Sequence, residues 1–221
     1  MAHDRRAVIF DMDGVLVDSY RAHFESWLAL AREEGSTFTE EDFAATFGRT
    51  SRDIIANLWG EGLGDERIAE MDARKEAAYR EIIAEDFPEM PGAGELVRAL
   101  HEAGFLLAVG SSGPPENVAV AMAGLGLPDC FAATVTGREV TRGKPDPEVF
   151  LKAAGKLAVP PGRCAVVEDA PAGVEAANRA DMASVALTGT APREDLAGAD
   201  LVVDSLRELT PDRLDRLIGR P

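Results

Sequence analysis

Short, β-rich apolar runs alternate with helix-patterned stretches along most of this 221-residue chain. No other feature constrains the fold as much. The first run is "AVIFDM" (7–12). Later ones are "FLLAVGSS" (105–112), the weaker "AATVTG" (132–137), "CAVVEDA" (164–170), "ASVAL" (183–187) and "DLVVDS" (200–205). Each is short and bounded by turn signals, as buried strands are. Between them, "AGELVRALHEAG" (93–104) closes on Gly, and "PPENVAVAMAGLG" (114–126) opens on Pro and closes on Gly. Those are common helix-start and helix-stop residues. "DPEVFLKAAGKL" (146–157) and "AGVEAANRA" (172–180) complete the helical set. Such alternation predicts an α/β fold with a doubly wound parallel sheet.

Residues 19–88 break the rhythm. "RAHFESWLALAREEG" places Phe24, Trp27, Leu28 and Ala31 at helical spacing. "TEEDFAATFG" begins with Thr39, a good N-cap, and has acids in its first turn. "DERIAEMDARKEAAYREIIAEDF" is expected to line up Ile68, Met71, Ala78 and Ile82. No strand pattern occurs here, so an all-helical insert is expected over 19–88, inside a sheet domain of 1–18 and 89–221. "PEMPGAG" (88–94) suits a hinge on the return.

Carboxylates gather at the ends of the predicted strands. Asp11 and Asp13 sit two apart at the end of the first, which on a strand would aim both at one site. Glu168 and Asp169 end "CAVVEDA", Ser111 and Ser112 end "AVGSS", and Lys144 lies between Gly143 and Pro145. Open α/β sheets bind ligands at these strand ends. Two unit charges 4 Å apart repel by roughly 4 kcal/mol at an effective dielectric near 20. One lysine does not neutralise four carboxylates, whereas a hard divalent cation does. Oxygen-only donors point to Mg²⁺. Asp18 reads as a helix N-cap.

"DMDGVLVD", a strand ending "GSS", "GKPDP" and "VVEDAPAGVEAA", in this order, resemble the four motifs of the haloacid dehalogenase superfamily. The resemblance covers nearly the whole chain. The insert is similar to the small helical cap of the β-phosphoglucomutase and phosphoglycolate phosphatase group. It implies Asp11 as nucleophile, Asp13 as general acid and base, Ser111 (with the N–H of Ser112) as phosphoryl binder, and Lys144 as counter-charge. It implies Mg²⁺ held by Asp11, the carbonyl of Asp13, and Asp169, with Glu168 bound directly or through water. In the cap, His23, Arg52 and Lys75 are candidate substrate-binding residues by the same likeness. Lys75 also reads as a snorkelling lysine on an apolar stripe.

The resemblance implies a phosphatase of a small phosphorylated metabolite, with β-phosphoglucomutase as the alternative. The mutase pattern carries a Lys-Asn pair after the motif-two serine, and this chain has Pro114 and Pro115 there. A phospho-accepting receiver domain is the remote alternative, since its acid pair and accepting Asp come in the reverse order. Founding dehalogenase chemistry lacks the second Asp that Asp13 supplies. With 39 acidic against 23 basic residues the net charge is −16, which repels nucleic acid and anionic membranes. No apolar run approaches the roughly 18 residues of a membrane span. A cytoplasmic monomer or weak homo-oligomer is expected.

Overall fold

The computed structural model describes residues 5–44, 51–60 and 62–219. The chain divides into two compact units. One comprises the chain up to Asp18 and from Pro88 onward; the other is Ser19–Phe87. Within the first, six strands pair in parallel: β1 (Ala7–Phe10), β2 (Leu106–Gly110), β3 (Phe131–Val135), β4 (Cys164–Glu168), β5 (Ala183–Leu187) and β6 (Leu201–Val203). Their order across the sheet is β3-β2-β1-β4-β5-β6. The chain winds outward from β1 to β3, then returns to β4 and winds the other way. The direction therefore reverses between β1 and β4, and ligands bind at such a crevice.

All four residues of β1 and all five of β4 are buried, which is why both read as unbroken apolar runs. Each fully buried Val, Ile or Phe contributes about 1.5–3 kcal/mol. The strand is shorter than expected at one point that matters. β1 stops at Phe10, although the Asp11 N–H still bonds the Val167 carbonyl at 2.9 Å. The chain then turns on Gly14, whose φ is +75°, with the Gly14 N–H donating to the Val17 carbonyl at 2.8 Å. Asp13 thus reaches the strand end by a tight loop and not by the pleat. Past this loop, Leu16 and Asp18 bond back to residues 88–90, with Asp18 N–H to Pro88 carbonyl at 2.8 Å and Met90 N–H to Leu16 carbonyl at 3.1 Å.

The second unit holds α1 (Tyr20–Glu33), α2 (Glu40–Ala44), α3 (Ser51–Trp59) and α4 (Asp65–Glu85), and no strand among its described residues. Trp27, Leu30, Ala31, Phe38, Phe43, Ile54, Ile55, Ile68 and Met71 form its core. Thr39 caps α2: its Oγ1 accepts the Asp42 N–H at 3.1 Å, and Asp42 accepts the Thr39 N–H at 2.8 Å. Two expectations are corrected here. Asp18 is exposed and α1 begins after Ser19, so Asp18 does not cap it. The buried face of α4 is Ile68, Met71, Lys75, Tyr79 and Ile83, while Ala78 and Ile82 lie only partly covered beside it.

The helices that follow are α5 (Ala93–Glu102), α6 (Pro115–Leu125), α7 (Glu148–Leu157) and α8 (Pro171–Arg179), and α5, α7 and α8 pack on the sheet. Val149, Phe150, Ala153, Ala154 and Leu157 of α7 share one core cluster with Ile9, Ala108, Val166 and, from α8, Ala176 and Ala177. No element is expected beyond residue 205, yet Pro211–Ile218 form α9. Thr210 caps it, and Leu214, Leu217 and Ile218 bury its apolar face. No helix among the described residues is long and apolar enough to cross a membrane.

Candidate active site

The predicted residues gather where the sheet reverses. Asp11 follows β1, and Glu168 and Asp169 close β4, its parallel neighbour. One carboxylate oxygen from each of the three lies within 4.8 Å of the others, and all three side chains are buried. Lys144 joins them from the loop before α7. Its Nζ donates to Asp11 Oδ1 and to Glu168 Oε1, each at 2.5 Å, and stands 5.0 Å from the centre of the Phe150 ring. The other oxygen of Glu168 accepts the N–H groups of Asp169 and Ala170 at 2.8 and 2.9 Å. Ser111 follows β2, paired to β1 in the register Phe10 to Val109, and so sits at the same edge. It is buried, its N–H bonds the Val135 carbonyl, and its Oγ accepts the Gly113 N–H at 3.0 Å. Asp13 is half-buried, and the side chain of Ser112 is exposed.

The electrostatics of this cluster are unbalanced. Burial, joined by Glu168 and Asp13 and opposed by Lys144, pushes the Asp11 carboxyl up to about 7. Asp169 is also held well above the usual carboxylate range, first by burial, then by Glu168 and Asp11. Burial works against the Lys144 charge, but Asp11 and Glu168 outweigh it and raise its pKa. One buried ammonium therefore faces three buried carboxylates. The donor set is all oxygen and carries excess negative charge, which fits a hard divalent cation.

The cap candidates are placed within the helical unit. Lys75 does not snorkel to solvent: it is 3% exposed. Its Nζ lies 2.9 Å from His23 Nδ1 and donates to Glu76 Oε1 at 2.8 Å. It also stands 5.4 Å from the Trp27 ring and 5.5 Å from that of Tyr79, on which His23 stacks at 4.1 Å. A buried ammonium needs such partners. The side chain of Arg52 lies outside the described residues.

A family model described as haloacid dehalogenase-like hydrolase matches residues 5–181. The chain belongs to this hydrolase family. It is 34% identical over 213 residues to validoxylamine A 7'-phosphate phosphatase of Streptomyces hygroscopicus subsp. limoneus, covering 92% of this chain and 95% of that one. It is 32% identical over 216 residues to β-phosphoglucomutase of Bacillus subtilis, covering 95% and 93%. Among solved structures, a family IA, variant 3 HAD hydrolase from Entamoeba histolytica superposes with a TM-score of 0.88 at 26% identity, covering 97% of this chain and all of the other.

Three features of this hydrolase escaped the sequence reading. Thr190, in the loop after β5, hydrogen-bonds Asp169. It lies past a strand end, the one signal that would have found it. Gly14 and Gly173 are the other two, because both leave room for carboxylates. A Cβ on Gly14 would lie 1.9 Å from Asp169 Oδ2, and one on Gly173 would lie 1.8 Å from Glu168 Oε1. Alanine ordinarily favours a helix over glycine by about 1 kcal/mol. In α8 the collision reverses that sign, because Glu168 is fixed by Lys144 and two backbone N–H groups. Gly173→Ala is expected to destabilise the fold by about 1–3 kcal/mol and to slow turnover. Thermal melts and turnover assays check this, and a more stable, fully active variant would contradict it.

Proposed function

We propose that this hydrolase is a phosphatase that cleaves the phosphomonoester of a small phosphorylated metabolite, a sugar phosphate in particular, with Mg²⁺ as cofactor. The observation that carries the reading is the buried Asp11–Lys144–Glu168–Asp169 cluster at the reversal point of the sheet. A phosphatase among its relatives supports the same class. An Asp11 carboxylate oxygen attacks phosphorus and the bond to the leaving oxygen breaks, giving an aspartyl-phosphate. Asp13 donates its proton to that leaving oxygen. It then takes a proton from water, whose oxygen bonds to phosphorus as the bond from phosphorus to the Asp11 carboxylate oxygen breaks. The Ser111 hydroxyl and the Ser112 N–H donate to the phosphoryl oxygens. Lys144 steadies Asp11 from Oδ1, and Glu168 holds Lys144 from the far side. Asp11, the Asp13 carbonyl and Asp169, with Glu168 directly or through water, would hold Mg²⁺. The bound ion would supply positive charge against the carboxylates and the incoming phosphate. The helical unit 19–87 is assigned as the substrate-selecting cap.

A mutase is the second reading, favoured by the buried Lys75–His23 pair and by the Bacillus subtilis relative. Against it stands the helix start after Ser111. Pro114 takes the N-cap position of α6 and Pro115 follows, so neither offers an N–H or a charged side chain. A bisphosphate intermediate would lack those donors, each worth roughly 1.5–3 kcal/mol when charged. The test is a panel of phosphorylated metabolites with Mg²⁺. It includes β-glucose 1-phosphate with and without glucose 1,6-bisphosphate. Phosphate release is expected to outpace glucose 6-phosphate formation. Isomerisation outpacing release by a large factor would replace the phosphatase with the mutase.

A further inference from the structure

Lys144 rides on an irregular segment between a 3₁₀ turn (Gly137–Glu139) and α7. A loop without ladder hydrogen bonds needs something else to hold its shape. Here the fastening converges on Glu148, the first residue of α7. Its Oε2 accepts the Thr141 N–H at 2.9 Å, the Thr141 hydroxyl at 2.8 Å and the Arg142 N–H at 3.0 Å. Its Oε1 pairs with Lys152, one turn on, at 2.6 Å. Asp146 closes the ring: its Oδ1 accepts the Glu148 N–H at 3.0 Å, and its Oδ2 meets the Arg142 guanidinium at 3.1 Å. The two ends of the loop are thereby tied to one carboxylate, and Lys144 is the residue midway between Arg142 and Asp146.

We propose that Glu148 is a positioning residue that fixes the loop so that the Lys144 ammonium reaches Asp11 and Glu168 at once. The need for such a device follows from the geometry. Lys144 must satisfy oxygens from the ends of two different strands, both at 2.5 Å. A lysine side chain has about 2 kcal/mol of rotamer entropy to lose and no rigid fork to guide it. Its backbone anchor has to be fixed for both contacts to persist. Glu148 stays ionised throughout the working range. The Lys152 hydrogen bond, then those of Thr141, hold its carboxyl down at about 2. The alternative is that Glu148 merely favours the start of α7 through the helix dipole, which affects stability but not the chemistry.

The inference rests on the role proposed for Lys144, and one experiment separates the two. Turnover of p-nitrophenyl phosphate with Mg²⁺ is measured for the parent, Lys144→Ala, Glu148→Ala, Glu148→Gln and the double variant, with melting curves for each. Glu148→Ala is expected to lower kcat by about 10²-fold, the scale of a 1 Å misplacement. Glu148→Gln keeps a side-chain oxygen for the Thr141 and Arg142 donors and is expected to recover most of that loss. Added to Lys144→Ala, Glu148→Ala is expected to cost nothing further, since it acts only through Lys144. Should Glu148→Ala not fold, Thr141→Val removes one donor to Oε2, and a several-fold loss in kcat is expected that vanishes in the Lys144→Ala background. Lys144→Ala at parent rates overturns the role of Lys144, and this inference with it. An inactive Lys144→Ala beside a fully active Glu148→Ala overturns the inference alone. So does an undiminished Glu148 or Thr141 effect in the Lys144→Ala background.

Discussion

Asp11→Asn is expected to abolish phosphate release, by on the order of 10⁴-fold or more, while the protein stays folded. Asparagine has the same shape and keeps an oxygen that can accept from Lys144. It has no anionic oxygen with which to attack phosphorus. Stability should not suffer, because the native carboxylate is itself disfavoured: burial pushes it up to about 7. Asparagine removes that buried negative charge from beside Glu168 and Asp13. Purified variant and parent are compared by single-turnover phosphate release and by thermal melting. A folded Asp11→Asn that turns over near the parent rate would rule out the aspartyl-phosphate route.

Removal of divalent metal is expected to be equally severe. Exhaustive chelation should abolish turnover, Mg²⁺ should restore it, and Ca²⁺ should inhibit. Ca²⁺ accepts more oxygen ligands in looser geometry, which would misplace Asp11. A pH signature accompanies this. Asp11 and Asp169 are both raised, by burial first, so the metal-free fold holds more protons than the unfolded chain. From the ordinary carboxylate range up to about 7 for Asp11, the stability of chelated protein therefore falls as pH rises. Cation binding requires the ionised carboxylates. The rise in melting temperature on adding Mg²⁺ should accordingly be larger at pH 8 than at pH 5. Full activity after chelation would refute the metal dependence; a pH-independent stabilisation would refute the assignment of these carboxylates to it.

The elements that carry this chemistry were legible because each ends a buried strand, where an acid stands out against apolar neighbours. Asp11 after "AVIF" and Glu168 after "CAVV" are such cases. The face of α4 was misjudged past Lys75. Lys75 lies on both the expected and the observed stripe, but the stripe was continued three residues on, to Ala78 and Ile82, where the helix buries the residues four on, Tyr79 and Ile83. The partner that lets Lys75 be buried alongside its neighbour Glu76, His23 on α1, emerges only when α1 and α4 pack. Glu148 and Thr190 were invisible for the same cause. Thr190 bonds Asp169 only once β4 and β5 have paired, and Glu148 bonds Thr141 and Arg142 only once the loop before α7 has turned back on itself. The end of β1 was misplaced by two residues because Asp11 keeps one ladder bond while Asp13 has already turned.

The position of β1 has a consequence for the order in which the molecule assembles. Both neighbours of this central strand come late: Ala7 pairs with Leu106 on one side and Cys164 on the other. During synthesis, the first strand made has no partner until about a hundred more residues have followed. The helical segment Ser19–Phe87 has a core drawn from its own residues and so can form while β1 waits. Its stalks lie side by side through Asp18 and Pro88. Once they are joined, the loop between β1 and β2 is in effect much shorter, and each halving of a flexible loop lowers its closure cost by about 0.6 kcal/mol. The segment that separates the two strands in sequence thus shortens the search by which they meet, and damage to its core should slow folding of a sheet to which it contributes no strand.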